Sequence, residues 1–302
     1  MTTKQQPWLT TFIALSITWG LSFYFIAVSL QAFSAVGVAV FRNILGAIAL
    51  VIWSLVTNQK FVREKSIWLK IFLLGFFLNA FPGLMFALAE QLLDSSLAGI
   101  LNATTPLFSV LFITLVFRSE SITKSQVFGL ALGFVGVLVL FGNLSFSGSN
   151  VPLGICLILM ATLGYGFSFP YMRKNLANTG YSSTSLASAQ LLASVVWLLP
   201  LAAAQPLMHA SLHWQSALSI FVLGALGTGF AYVWNFRVTS IVGSAIASTV
   251  TYLSPVVAVI AGWAILHEQI QPSTLIGAAV ILFSAAIVQR RIKPENWFRK
   301  AN

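Results

Sequence analysis

The sequence predicts an all-α membrane protein: ten transmembrane helices arranged as two inverted five-helix repeats. Three observations predict it. Of the 302 residues, 7% are charged and 58% hydrophobic, whereas a soluble domain carries roughly 25% charged residues. Ten apolar segments reach the ~20 residues that a helix needs to cross ~30 Å of hydrocarbon. Landmarks of the first half recur in the second at a nearly constant offset. So few charges cannot cover a water-facing surface, which excludes a soluble enzyme, a disordered tail and a nucleic-acid-binding domain. The net charge of +10 does not mark a phosphate-bearing partner, because the basic residues are scattered among short loops. The 25 Phe and 9 Trp suit lipid-facing and interfacial positions.

The first span, 8–28, is too long an apolar run for a cleaved signal peptide and lacks a small-residue cleavage site. It carries Trp19 and Ser22 at i, i+3, an aromatic and a hydroxyl that suit an amphipathic substrate. The competing reading is a tight crossing at Gly20. The second span, 35–56, contains Arg42. An arginine near a helix centre costs ~2.5–3.5 kcal/mol, less nearer the ends. Two accounts stand. Its long stem snorkels to the interface unaided, or it meets Glu90 or Asp94 beyond the third span, as a gate or as a holder of a substrate carboxylate. The third span, 67–89, adds Asn79 and Pro82 as polar or bendable points.

In the fourth span, 97–117, Asn102, Thr105 and Ser109 share a face. Pro106 lacks the N–H that would bond the carbonyl four residues back, so it should free that of Asn102. The fifth, 122–142, offers a small-residue face at Gly129, Gly133 and Gly136. Packing within one chain is the default reading of that face; a monomer is expected, and a homodimer stays open. The sixth, 151–173, repeats the first-span pattern as Tyr165, Gly166 and Ser168, followed by Pro170. The seventh, 184–204, is an apolar run. The eighth, 214–236, carries Gly227, Gly229, Tyr232 and Asn235. The ninth, 242–266, sets Ser248, Thr251, Tyr252 and Pro255 on one face, with the Thr251 carbonyl freed as Asn102's is. The tenth is 273–289. The paired proline zones favour a cavity lining over polar helix–helix glue.

Orientation follows from the basic residues. If the amino terminus is cytoplasmic, the inner loops and tail receive 15 of the 16 Lys and Arg, and Arg42 is the remaining one. That expects both termini inside. The repeat divides the chain at 145/146. AGILNATTP ending at Pro106 echoes ASTVTYLSP ending at Pro255, and Glu120 and Gly129 echo Glu268 and Gly277. Five spans per half is an odd number, so the second copy enters from the opposite side. The stretch 142–150 joins the halves on the outer side.

These landmarks resemble the drug/metabolite transporter superfamily, in particular its ten-span EamA-type exporters, over nearly the whole chain. Ser95–Glu120, with its echo Gly243–Glu268, is similar to that family's typical pattern. The resemblance implies a basket-like fold with a central substrate cavity and export of small metabolites, often amino acids, from a bacterial-type inner membrane. It names no substrate.

The reading is thus a secondary exporter working by alternating access, with amino acids, bulky or aromatic ones foremost, as the first guess. Its partners are a small-molecule substrate and the lipid bilayer. A membrane-embedded enzyme would need a nucleophile and base within the spans, and no His or Asp lies mid-membrane. A channel would need continuous polar stripes or charge rings. An importer or a lipid-linked-sugar carrier of the same superfamily stays open. No cofactor, metal or catalytic residue is expected: Cys156 is alone, the three His lie in or near loops, and there is no phosphate-binding loop. Proton antiport through Glu90 and uncoupled exchange both stand.

Overall fold

The computed structural model of the chain describes residues 7–141, 151–208, 212–266 and 272–288. All ten spans are helical: Pro7–Ser29, Ala35–Val56, Lys65–Ala89, 95–117, Lys124–Phe141, Val151–Asn175, Ser183–Ala204, Trp214–Val242, 244–266 and Pro272–Val288. Among the described residues, seven helices are long and apolar enough to cross a membrane. The fifth, ninth and tenth each run to the edge of what is described. The repeat boundary at 145/146, the joining stretch 142–150, Glu268 and the basic tail from Arg290 lie outside the described residues.

Two matched serines begin matched helices. Ser34 accepts from the Gly37 N–H at 3.0 Å, and Ser182, 148 residues on, accepts from the Ser185 N–H at 3.2 Å. Each side chain satisfies a backbone donor that has no partner in the first turn. Ser34 is also held from outside its own helix. It donates to the carbonyls of Pro206 (2.8 Å, from Oγ) and Leu207 (3.0 Å, from N), so the loop after the seventh span folds over the start of the second.

Four spans depart from regular α-helix. The third makes a π turn at Phe76–Ala80, just before Pro82, and the eighth makes a longer one at Leu223–Phe230. The fourth tightens to 3₁₀ at Asn102–Thr104, ahead of Pro106. The ninth breaks at Thr249, between Ser244–Ser248 and Val250–Leu266. A proline cannot donate to the turn before it, and the chain re-satisfies the freed groups locally or with a neighbour's side chain. Thus the Asn102 carbonyl is not left open as expected, because the Thr105 N–H bonds it across the 3₁₀ turn. Near Pro82, the Leu78 carbonyl accepts from Tyr232 of the eighth span at 2.8 Å.

The strongest packing pairs spans of different halves. The first lies on the eighth and ninth, and the sixth on the third and fourth; the second lies on the seventh and eighth, and the seventh also on the third; the fifth lies on the tenth. Exchanging each span with the one five places on maps this set onto itself, as an inverted repeat requires. Small residues let these backbones meet. A Cβ on Gly20 would come within 2.6 Å of Val257, and one on Gly166 within 2.4 Å of Phe108. The polarity is that of a protein in lipid. Leu55, Leu69, Leu115 and Leu199 point outward, while Ser54, Asn43, Ser194 and Gln190 are buried. Inside, Ser194 donates to Asn43 at 2.7 Å, and Ser54 and Ser188 share a bond of 3.1 Å.

One end of the bundle carries the basic loops. There Glu120 accepts from the Ser244 N–H at 2.8 Å and from the Ser244 hydroxyl, tying the end of the fourth span to the start of the ninth. Gly243 turns into that helix with φ +83°, and a Cβ there would meet the Glu120 carboxylate at 2.7 Å. Arg173 reaches the Ser240 carbonyl, and Lys174 reaches that of Phe117 at 3.0 Å. Tyr181 donates to Glu64, which holds that exposed carboxyl below its ordinary range.

Candidate functional site

A cavity opens among the first, second, third, fourth and sixth spans. Trp19, Ser22, Phe23 and Ile26 line it from the first span, Arg42 from the second and Phe86 from the third. Asn102, at the 3₁₀ turn of the fourth, and Tyr165 of the sixth complete it. The turn is what presents Asn102: three tightened residues rotate the face that follows relative to the face before. The volume is about 30 Å³, room for about two waters.

The aromatic walls are braced from behind. Tyr165 stacks on Phe86 with ring centres 5.7 Å apart, and Trp19 meets Tyr232 edge-on at 5.7 Å. Tyr232 therefore stands one layer behind the cavity, with its hydroxyl donating to Leu78. Ser22 donates to the Thr18 carbonyl at 2.8 Å, and Asn102 accepts from Thr105 at 3.2 Å through its side-chain oxygen. The Asn102 amide N–H₂ makes no bond among the described residues.

Arg42 is 6% exposed and is the one charged residue of the lining. Its Nε donates to Thr228 Oγ1 at 3.0 Å, and Thr228 in turn donates to the Leu223 carbonyl at 2.8 Å. Arg42 and Glu90 lie within electrostatic reach of each other but make no direct bond. Glu90 accepts instead from Ser95 at 3.2 Å, and its second oxygen is buried without a partner. Asp94 caps the fourth span through backbone geometry and makes no side-chain capping bond.

The other expected residues lie apart from the cavity. Asn79 accepts from Gln190 of the seventh span. Thr105 and Pro106 are buried beneath the turn that carries Asn102. Ser168 donates to the Gly164 carbonyl at 2.7 Å and Thr251 to that of Ser248 at 2.9 Å. Tyr252 donates to the Leu130 carbonyl at 2.8 Å, with its ring filling the space over Gly133 of the fifth span. Pro255 is buried within the ninth helix. The fourth-span zone reaches this cavity through Asn102, whereas Thr251, Tyr252 and Pro255 of the ninth span are buried outside its lining. Sequence reasoning missed Phe23, Ile26 and Phe86, which are ordinary apolar residues, and also Thr228. The repeat offset was the signal for Thr228: it stands 149 residues after Asn79, in a matched π turn.

The EamA-like transporter family matches residues 6–142 and 152–290. Among curated relatives, the uncharacterized transporter YdfC of Bacillus subtilis is 27% identical, over 92% of this chain and 89% of its own length. The uncharacterized inner membrane transporter YedA of Escherichia coli K12 is 25% identical over 93% and 90%. A protein named probable terminal-alkyne amino-acid exporter, of Streptantibioticus cattleyicolor, is 26% identical over 91% of each chain. A solved crystal structure shares the fold at a TM-score of 0.75 and 16% identity, over 96% of this chain and 100% of that one.

Proposed function

Because the chain belongs to the EamA-like transporter family, we propose that it exports small metabolites, amino acids foremost, across the cytoplasmic membrane by alternating access. In this reading both termini face the cytoplasm. The observation that carries it is the buried cavity in which Trp19, Ser22, Arg42 and Asn102 of the first half face Tyr165 of the second. A guanidinium, an amide and two aromatic walls suit a molecule with a charged end and an apolar body. The exporter named among the relatives supports the amino-acid reading. The cavity of about 30 Å³ has room for about two waters, and in this reading the halves part to load. The breaks in the third, fourth, eighth and ninth spans supply the bending points.

The test is flux. Purified protein in liposomes is loaded with single labelled amino acids and assayed with and without a pH gradient. Bulky or aromatic amino acids are expected to move, and Trp19→Ala with Tyr165→Ala to suppress the movement. Transport of none of the twenty, or full activity in both variants, would overturn the reading.

A further inference from the structure

Arg42 is held in one orientation and left half-used. Its Nε is committed to Thr228. Its two terminal nitrogens make no hydrogen bond or ion pair among the described residues, although the side chain is 94% buried by its 6% exposure. A buried guanidinium with an open end is costly unless an anion or water completes it. The open end is the edge formed by the two terminal nitrogens, whose fork matches the two oxygens of a carboxylate.

Thr228 has little freedom. Its hydroxyl proton goes to the Leu223 carbonyl inside the π turn, so a lone pair is left to receive Arg42 Nε. The second and eighth spans must touch for this bond to exist, and glycines permit it. A Cβ on Gly46 would come within 2.9 Å of the Gly224 carbonyl, and one on Gly224 within 2.5 Å of Leu45.

The inverted repeat supplies an internal control. Gln190 lies 148 residues after Arg42 and Asn79 lies 149 before Thr228. Gln190 donates to Asn79 between the seventh and third spans, as Arg42 donates to Thr228 between the second and eighth. The tie between spans therefore works with a neutral amide. The positive charge is extra to packing, and Arg42, unlike Gln190, is among the residues that line the cavity.

We propose that Thr228 positions Arg42 to hold a substrate carboxylate, so that the cavity takes carboxylates with an apolar or aromatic body and rejects amines that lack one. This rests on reading the cavity as the substrate site. No carboxylate side chain lines it, and Glu90, within electrostatic reach of Arg42, is bonded to Ser95 outside the lining, so a lone ammonium would meet the guanidinium with no acid in the lining to pair with. The ammonium of an amino acid would be met by neutral acceptors.

Three probes share one phenylethyl body: L-phenylalanine, 3-phenylpropionate and 2-phenylethylamine. Counterflow in liposomes by the full chain is expected for the first two and not the third. Arg42→Gln should reach the membrane and unfold at the wild-type temperature, as the Gln190 tie implies, yet lose both carboxylates. Thr228→Val should raise KM for both by about tenfold with little change in kcat, the loss of one hydrogen bond to a charged group. Thr228→Ser should restore KM. Equal transport of the amine, or an unchanged KM in Thr228→Val, overturns the proposal while the cavity reading stands, provided Trp19→Ala still blocks transport. If Arg42→Gln fails to fold, the KM pair at Thr228 decides. Movement of none of the three probes overturns both this proposal and the aromatic amino-acid reading.

Discussion

Tyr165 and Tyr252 are both buried, but their surroundings assign them different work. Tyr165 faces the cavity, whereas Tyr252 is spent on the Leu130 carbonyl and on the notch left by Gly133. Tyr252→Phe is therefore expected to lower the melting temperature, by loss of a hydrogen bond of ~0.5–1.5 kcal/mol, and to leave the KM of a carried amino acid unchanged. A raised KM at unchanged thermal stability would place Tyr252 in the substrate path instead. Sequence periodicity put Tyr252 on a face with Thr251 and Pro255, but a face does not say which neighbour covers it. Trp19, Ser22, Asn102 and Tyr165 were legible because each carries a hydroxyl, amide or ring N–H, and a polar group within an apolar span costs free energy unless it finds a partner. Phe23, Ile26 and Phe86 were not, since an apolar lining residue is chemically the same as a lipid-facing one.

The ten spans were legible as apolar runs, while their caps and interior breaks were not read from them. Ser34 and Ser182 are capping residues at the start of apolar runs, and both begin helices as that chemistry requires. The π turn of the third span has Pro82 as a signal, whereas that of the eighth lies in the glycine-rich run Leu223–Phe230 with no proline to announce it. A π turn absorbs one extra residue and is fixed by what the backbone packs on, here Gly46 and Leu45. Loops carry the orientation, because Lys and Arg resist transfer across the membrane. With the exposed Cys156 replaced by Ala, a single cysteine at Gln31 or Gln205 should react with an impermeant thiol reagent on intact cells. One at Ser121, in a basic loop, should react only after lysis. All three positions are exposed, so labelling of Ser121 from outside would reverse the proposed orientation and with it the direction of export.

At the scale of the whole molecule, the repeat explains more than any single span. Landmark residues 148 or 149 apart predicted two inverted halves, and the span pairs close under exchange of those halves. What the repeat could not predict is where the halves differ, namely Arg42 against Gln190, which gives the cavity one charged wall. The interleaving also sets the order of biogenesis. The ribosome releases the first five spans before the seventh to tenth, against which they pack, have been made. Until then Arg42 lacks Thr228 and Asn43 lacks Ser194, and open polar faces in lipid invite proteolytic triage. Residues 1–145 synthesised alone should be degraded quickly, and co-synthesis with 146–302 should protect both pieces, as followed by pulse-chase. A long-lived 1–145 fragment would mean that half a transporter can close upon itself.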